Sequence, residues 1–181
     1  PEAIKRLEVA ASEQILSDGG HFARSPQAHL DALAALVQTR AVLFAARVET
    51  PERLQITIDR MAPMLRAYCH ADGGLALFNG AHENNKVTVE RVLDLSGSVA
   101  KPASSAPHTG FHRINTQRTT VIFEVGAPAD SAPLVPGHAG TLSFEMSVGR
   151  HRMIVNCGSV HYSGGNIELA HALRATAAHS T

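Results

Sequence analysis

Residues 137–158 read G-H-A-G-T-L-S-F-E-M-S-V-G-R-H-R-M-I-V-N-C-G. Thr141, Ser143, Glu145 and Ser147 alternate with Leu142, Phe144, Met146 and Val148. A period of two predicts a strand with one buried face. Gly149 and Arg150 follow as a turn, and Met153, Ile154 and Val155 make a short apolar run closed by Gly158. Two strands about so short a turn form an antiparallel hairpin. Entrance and exit of a hairpin lie at the same end. His138 and Asn156 are therefore expected to meet, although eighteen positions separate them. The plainer reading is a core hairpin with ordinary polar ends.

On the C-terminal side, Ser163-Gly164-Gly165 reads as a loop, 166–173 carries no clear period, and 174–181 alternates as a final strand. On the N-terminal side, 126–136 is a Pro-rich connection. Before it, residues 111–114, a polar turn at 115–118 and 119–125 predict a second hairpin. Residues 101–107 form a Ser/Pro/Ala loop, 85–95 a short helix and 75–78 a short strand. Upstream of Asp72-Gly73-Gly74 the apolar period changes to three and four. Ile4, Leu7, Ala11 and Ile15 mark a helix over 2–17, stopped at Asp18-Gly19-Gly20. Ser25-Pro26 opens a second helix over 26–47, and Thr50-Pro51 a third, with a kink expected at Pro63. Short connections between helices predict antiparallel helical hairpins. The expected organisation is α+β: a helical part over 1–70, a linker with short elements over 71–107, and antiparallel sheet over 108–181.

Hydrophobic residues are 44% and charged residues 18%, the balance of a globular chain with one good core or two small ones. Formal net charge is +0, which argues against nucleic-acid binding by bulk electrostatics. Trp is absent, so no sugar can stack on indole in this segment. Cys69 and Cys157 make neither a disulfide framework nor a metal knuckle. No membrane span is expected from the apolar runs. The chain starts at Pro1 and stops straight after a patterned segment, as expected of a piece of a longer protein. Histidine is the outlying count, at 11.

Two constellations can carry chemistry. In D-G-G-H-F-A-R-S-P-Q-A-H, from Asp18 to His29, a Gly-rich break precedes a helix N-terminus. Free N–H groups and the positive dipole end make such a place an anion site. Gly20 would line it, Arg24 can grip a carboxylate with two bonds, and His21 is a plausible acid or base. The alternative is that Gly-Gly simply ends one helix and Ser-Pro caps the next. The second constellation is His138 with Asn156 and His179: two imidazoles and one amide oxygen, able to hold Zn²⁺ with a position left open. Cys157 should face away from Asn156.

These residues resemble a family. D-G-G-H-F-A-R-S-P-Q-A-H-L-D-A-L is similar to the segment D-G-x-x-x-E-x-S-x-x-Y-H-x-x-A-L in the helical toroid of the heparinase II/III-like polysaccharide lyases. G-H-A-G-T-L-S-F-E-M-S, then V-N-C-G, then R-A-T-A-A-H-S-T, resembles that family's H-x-H-A-D-A-L-S-F, D-x-G and R-x-T-A-x-H-N-T. The resemblance implies an incomplete (α/α) toroid followed by an antiparallel β-sandwich, incomplete at its C-terminus. It implies cleavage of uronic-acid polysaccharides, glycosaminoglycans among them, by β-elimination. That reaction needs the carboxylate neutralised, the C5 proton taken and the leaving O4 protonated. His138, Asn156 and His179 fall on the metal positions; His21 and Arg24 fall in the active-site segment. The family's catalytic Tyr falls on Ala28, next to a retained His29, and its catalytic His falls on Pro136. The Asp of H-A-D is Gly140, and the metal Asp is Asn156. Three functions stay open: a lyase with His21 or His29 as acid–base group and Arg24 on the uronate; a non-catalytic glycan-binding or cell-envelope protein on that scaffold; and a metal-dependent hydrolase using His138 and His179. The implied partner is an acidic polysaccharide, and the implied location is periplasm or cell envelope.

Overall fold

The computed structural model describes residues 2–83, 86–127, 138–159 and 167–181. Pro136, the Ser163-Gly164-Gly165 loop and most of the 126–136 connection lie outside the described residues. Among the described residues, four helices come first: α1 (Glu2–Gln14), α2 (Pro26–Ala45), α3 (Glu52–Ala67) and α4 (Lys86–Ser96). Five strands follow as an antiparallel meander in sequence order: β1 (Ser105–Ala106), β2 (Phe111–Asn115), β3 (Thr119–Glu124), β4 (Phe144–Val148) and β5 (His151–Ile154). Helix α5 (Ile167–Ala172) and a 3₁₀ turn over Thr176–Ala178 close the chain.

The helical part forms for the expected reason. Leu30, Leu33, Leu36 and Val37 of α2 face Leu54, Ile58, Met61 and Leu65 of α3, and all are buried. By length and composition α2 meets the requirements of a membrane span, yet these residues place its first half in the core. Helix α3 runs on through Pro63. Residues 71–107 are not a linker. Leu75, Ala76 and Phe78, with Val89, Val92 and Leu93 of α4, join the same buried cluster, which continues into Phe111 and Ile122 of the sheet. One core therefore serves helices and strands together.

Three elements differ from the sequence reading. Residues 75–78 make a single bridge, Leu75 to Cys69; Ala76 N donates to Tyr68 O and Leu77 N to the Glu145 side chain, where a strand would pair with a neighbouring backbone. Residues 174–181 hold a 3₁₀ turn over Thr176–Ala178 and no strand. Strand β4 begins at Phe144, since Leu142 takes φ +69° in a turn in which Ser143 N donates to Gly140 O at 2.9 Å. The two hairpins stand as read. Gly149, at φ +55°, turns β4 into β5, and the register slips by one residue beside Met146 and Ser147.

The faces of the sheet reverse the usual pattern. On β4 the buried residues are Glu145 and Ser147; Phe144, Met146 and Val148 are only half-buried. On β3, Thr120, Ile122 and Glu124 are buried. Ile122 pairs with Glu145, and Thr120 with Ser147. The face turned to the helices is thus rich in polar groups, each of which needs a partner.

Candidate functional site

The loop from Asp18 to Ser25 is filled by its own chain. Asp18 accepts from Thr109 N at 2.7 Å, Thr109 Oγ1 at 2.6 Å and Gly20 N at 3.1 Å. Burial pushes the Asp18 carboxyl up, but these bonds outweigh it and hold the group below its ordinary value. A Cβ at Gly20 would stand 1.9 Å from Thr109 Oγ1. Gly20 therefore permits close packing, and no cradle for an anion is left there.

Arg24 has the left-handed backbone, φ +54°, that turns its side chain inward. Its Nη2 donates to Glu124 Oε1 at 2.7 Å and its Nε to Thr109 O at 2.9 Å. The side chains of this ion pair are 9% and 5% exposed. Gly126 makes room for the guanidinium, since a Cβ there would lie 2.5 Å from Nη2. The expected grip on a uronate is thus replaced by an internal partner. Asn79 Nδ2 completes the group, donating to Glu124 Oε1 at 2.7 Å and to Arg24 O at 2.9 Å. Burial pushes the Glu124 carboxyl up, against the pull of Asn79, Arg24 and His179.

His21 is buried, its Nδ1 accepting from Ala23 N at 3.2 Å, and burial lowers its pKa. His29 is fully buried: Nε2 lies 3.0 Å from Met61 O, Nδ1 has no partner, and the ring meets Tyr68 edge-on. Burial lowers its pKa to about 4, so it is a neutral core imidazole. The Tyr68 hydroxyl is buried without a partner, and burial raises its pKa well above the ordinary value.

The hairpin and the C-terminal turn bring two expected residues together. The rings of His138 and His179 meet edge-to-face with centroids 5.6 Å apart. His179 Nδ1 lies 2.8 Å from Ala175 O, which leaves Nε2 for other partners. The His138 ring faces Leu173 O, and its Nε2 is 3.6 Å from the Cβ position of Gly80. Burial, then the charges of His179 and Arg174, lower the His138 pKa to about 4. Glu124 Oε2, buried and unpartnered, and His179 Nε2 both lie 3.3 Å from the Cβ position of Gly140. The His179 imidazole and an orphaned carboxylate oxygen thus flank Gly140, the small residue that stands where the family pattern has Asp.

Asn156 does not complete a metal trio. Its Nδ2 donates to Glu145 Oε1 at 3.2 Å, and its Oδ1 accepts from Ser180 N at 3.1 Å. Both ends of the amide are engaged. Among the described residues, no three His, Cys, Asp or Glu side chains are arranged to hold a metal ion. Of the expected Zn²⁺ set, His138 and His179 lie together, and Asn156 is hydrogen-bonded at both ends of its amide.

Sequence reading missed the roles of Glu145, His70, Ser147, Glu124 and Asn79. Glu145 Oε1 also accepts from Leu77 N at 2.8 Å and Asn156 N at 3.1 Å. Its Oε2 lies 2.9 Å from His70 Nε2, while His70 Nδ1 lies 2.9 Å from Ser147 Oγ. A signal existed for Glu124: it shares its strand face with Ile122, which is buried.

Comparisons agree with this architecture. Residues 98–181 match the family described as Heparinase II/III-like, C-terminal. Over 179 residues the chain is 30% identical to FtsZ-localized protein C of Caulobacter vibrioides (strain NA1000 / CB15N), covering 99% of this chain and 30% of that protein. It therefore spans about a third or less of the relatives it matches. Among solved structures, the Heparinase III-BT4657 gene product superposes with a TM-score of 0.80 at 19% identity, over 99% of this chain and 32% of that one. Heparan sulfate lyase HepC from Pedobacter heparinus gives 0.74 at 17% identity, over 97% and 31%. At these identities the structures show the fold alone.

Proposed function

Starting from a heparinase II/III-like chain of helices followed by antiparallel sheet, we propose a glycan-binding, cell-envelope protein on a lyase scaffold, without β-elimination through the residues described here. In this reading the helices belong to an incomplete (α/α) toroid and the meander to a β-sandwich. One observation carries it. Arg24, the one Lys or Arg in the Asp18–His29 constellation, is buried with Nη2 on Glu124 and Nε on Thr109 O, so its charge is already paired within the chain. His29 is sealed in the core, and the two positions of the family's acid–base pair are Ala28 and Pro136. The name of the Caulobacter relative places that protein with FtsZ, and we extend this to a role at the envelope of dividing cells.

The test uses the full-length protein. Binding to an array of acidic glycans, with no rise in ultraviolet absorbance from unsaturated uronate, is the expected result. A fluorescent fusion should gather at the division site. Release of unsaturated product, lost in His138→Ala, would overturn the reading. The lyase reading has one specific observation in its favour: His138 is held neutral beside His179, as a general base must be.

A further inference from the structure

We propose that Glu145 is a positioning residue for the His138–His179 pair, setting both walls of the imidazole pocket from a single buried carboxylate. The inference rests on the pair being the working part of the site, but not on which chemistry the pair performs.

Glu145 is 0% exposed, and its two oxygens take four hydrogen bonds from three separate segments. Fixed donors around a buried carboxylate define its place, and the carboxylate in turn defines theirs. Two chains of contacts leave it. The first runs through Leu77 N to the loop that follows. Two residues on, Asn79 donates to Glu124 and to Arg24 O; next comes Gly80, the residue beside His138 Nε2. The second runs through Asn156, whose Oδ1 accepts from Ser180 N, immediately after His179. Ser180 is also clipped to β4: Phe144 N donates to Ser180 Oγ at 3.1 Å, and that hydroxyl donates back to Phe144 O. The wall behind His138 and the backbone carrying His179 thus share one anchor. That anchor is too buried to touch a substrate itself.

This arrangement also gives a reason for Asn at 156. The amide donates to Glu145 and accepts from Ser180 at once; a carboxylate in its place has no proton for Glu145. In this chain Asn156 belongs to the support of the pocket and not to its lining.

The test is pH-dependent labelling of the full-length protein with diethyl pyrocarbonate, read residue by residue by peptide mass mapping. The reagent acylates neutral, accessible imidazole, so each histidine reports its own titration and exposure. Glu145→Gln keeps an oxygen for Leu77 N and Asn156 N and should leave His138 and His179 within about twofold of wild type. Glu145→Ala, in protein that still melts cooperatively, should raise labelling of both by roughly fivefold or more and move their pH profiles together. The exposed His112 and His151 should not change. Asn156→Ala removes the amide that links Glu145 to Ser180 N, so it cuts only the second chain and should raise His179 labelling while leaving His138 alone; if Glu145→Ala fails to fold, this variant carries the test. A folded Glu145→Ala, or an Asn156→Ala, whose His179 labels like wild type overturns the proposal. Neither result depends on glycan binding or product formation, so failure here is separate from failure of the proposed function.

Discussion

At the scale of single residues, burial decides what each histidine does. His29 and His138 both have pKa values of about 4 in the folded chain, below the 6.5 of an open imidazole. A depressed base takes up its proton more readily when unfolded. Its contribution is therefore complete above about pH 6.5 and is lost as the pH falls toward 4. For His29 the loss is on the order of 3 kcal/mol. We expect His29→Leu to remove much of the fall in stability between pH 6.5 and 4, measured by chemical denaturation across that range. An unchanged slope would show that His29 is protonated as easily as in water. Asn156→Asp should behave in the opposite sense. An aspartate there faces Glu145 where the amide now donates at 3.2 Å. Two carboxylates that close share a proton, so one is raised above its unfolded value. The variant should lose about 3 kcal/mol at neutral pH, and recover part of it as the pH falls toward 5, in the same denaturation series.

At the scale of elements, the hairpins and helices were legible because their apolar periods are regular and their turns carry Gly, Pro or Asn. Helix α4 was read from Val89, Val92, Leu93 and Leu95; the first three are on its buried side, and Leu95 is exposed. The failures have a common cause. Period two announces two faces without saying which is covered. On β4 the polar face is the covered one, because His70, Leu77 N and Asn156 supply partners from remote positions. Partners that arrive through tertiary contact leave no local mark. For the same reason the final segment alternates like a strand and yet turns. Cys157 N donates to Ala178 O and Ser180 N to Asn156 Oδ1, which gives the segment isolated partners and no ladder. The candidate site was half legible. His138 and His179 meet as expected, whereas Arg24, Asn156 and Gly20 were read by residue type and turned out to be occupied.

At the scale of the whole molecule, acidic side chains bind helices to sheet. Asp18 reaches Thr109, Glu124 holds Arg24, Glu145 holds His70 and Leu77 N, and Asp72 takes Arg152 of β5. The last of these is the nearest to solvent, and it can be removed without opening the core. Arg152 Nε and Nη2 donate to Asp72 at 3.1 and 3.2 Å, and its Nη1 to Leu75 O at 3.0 Å. Burial raises the Asp72 carboxyl, but the bonds from Arg152, Gly74 N and Lys86 together hold it well below its ordinary value. Such a depressed acid contributes above its unfolded pKa and stops contributing only as the pH falls through the folded one. Asp72 should stay ionised throughout the range in which His29 and His138 titrate. We therefore expect Arg152→Ala to cost about 1–2 kcal/mol, by the same amount at pH 7 as at pH 5. A double-mutant cycle with Asp72→Asn should return most of that cost as coupling between the two side chains. A gap that closes between pH 7 and pH 5, or a coupling near zero, would mean that Arg152 acts only through Leu75 O and that the sheet is held by its buried carboxylates alone.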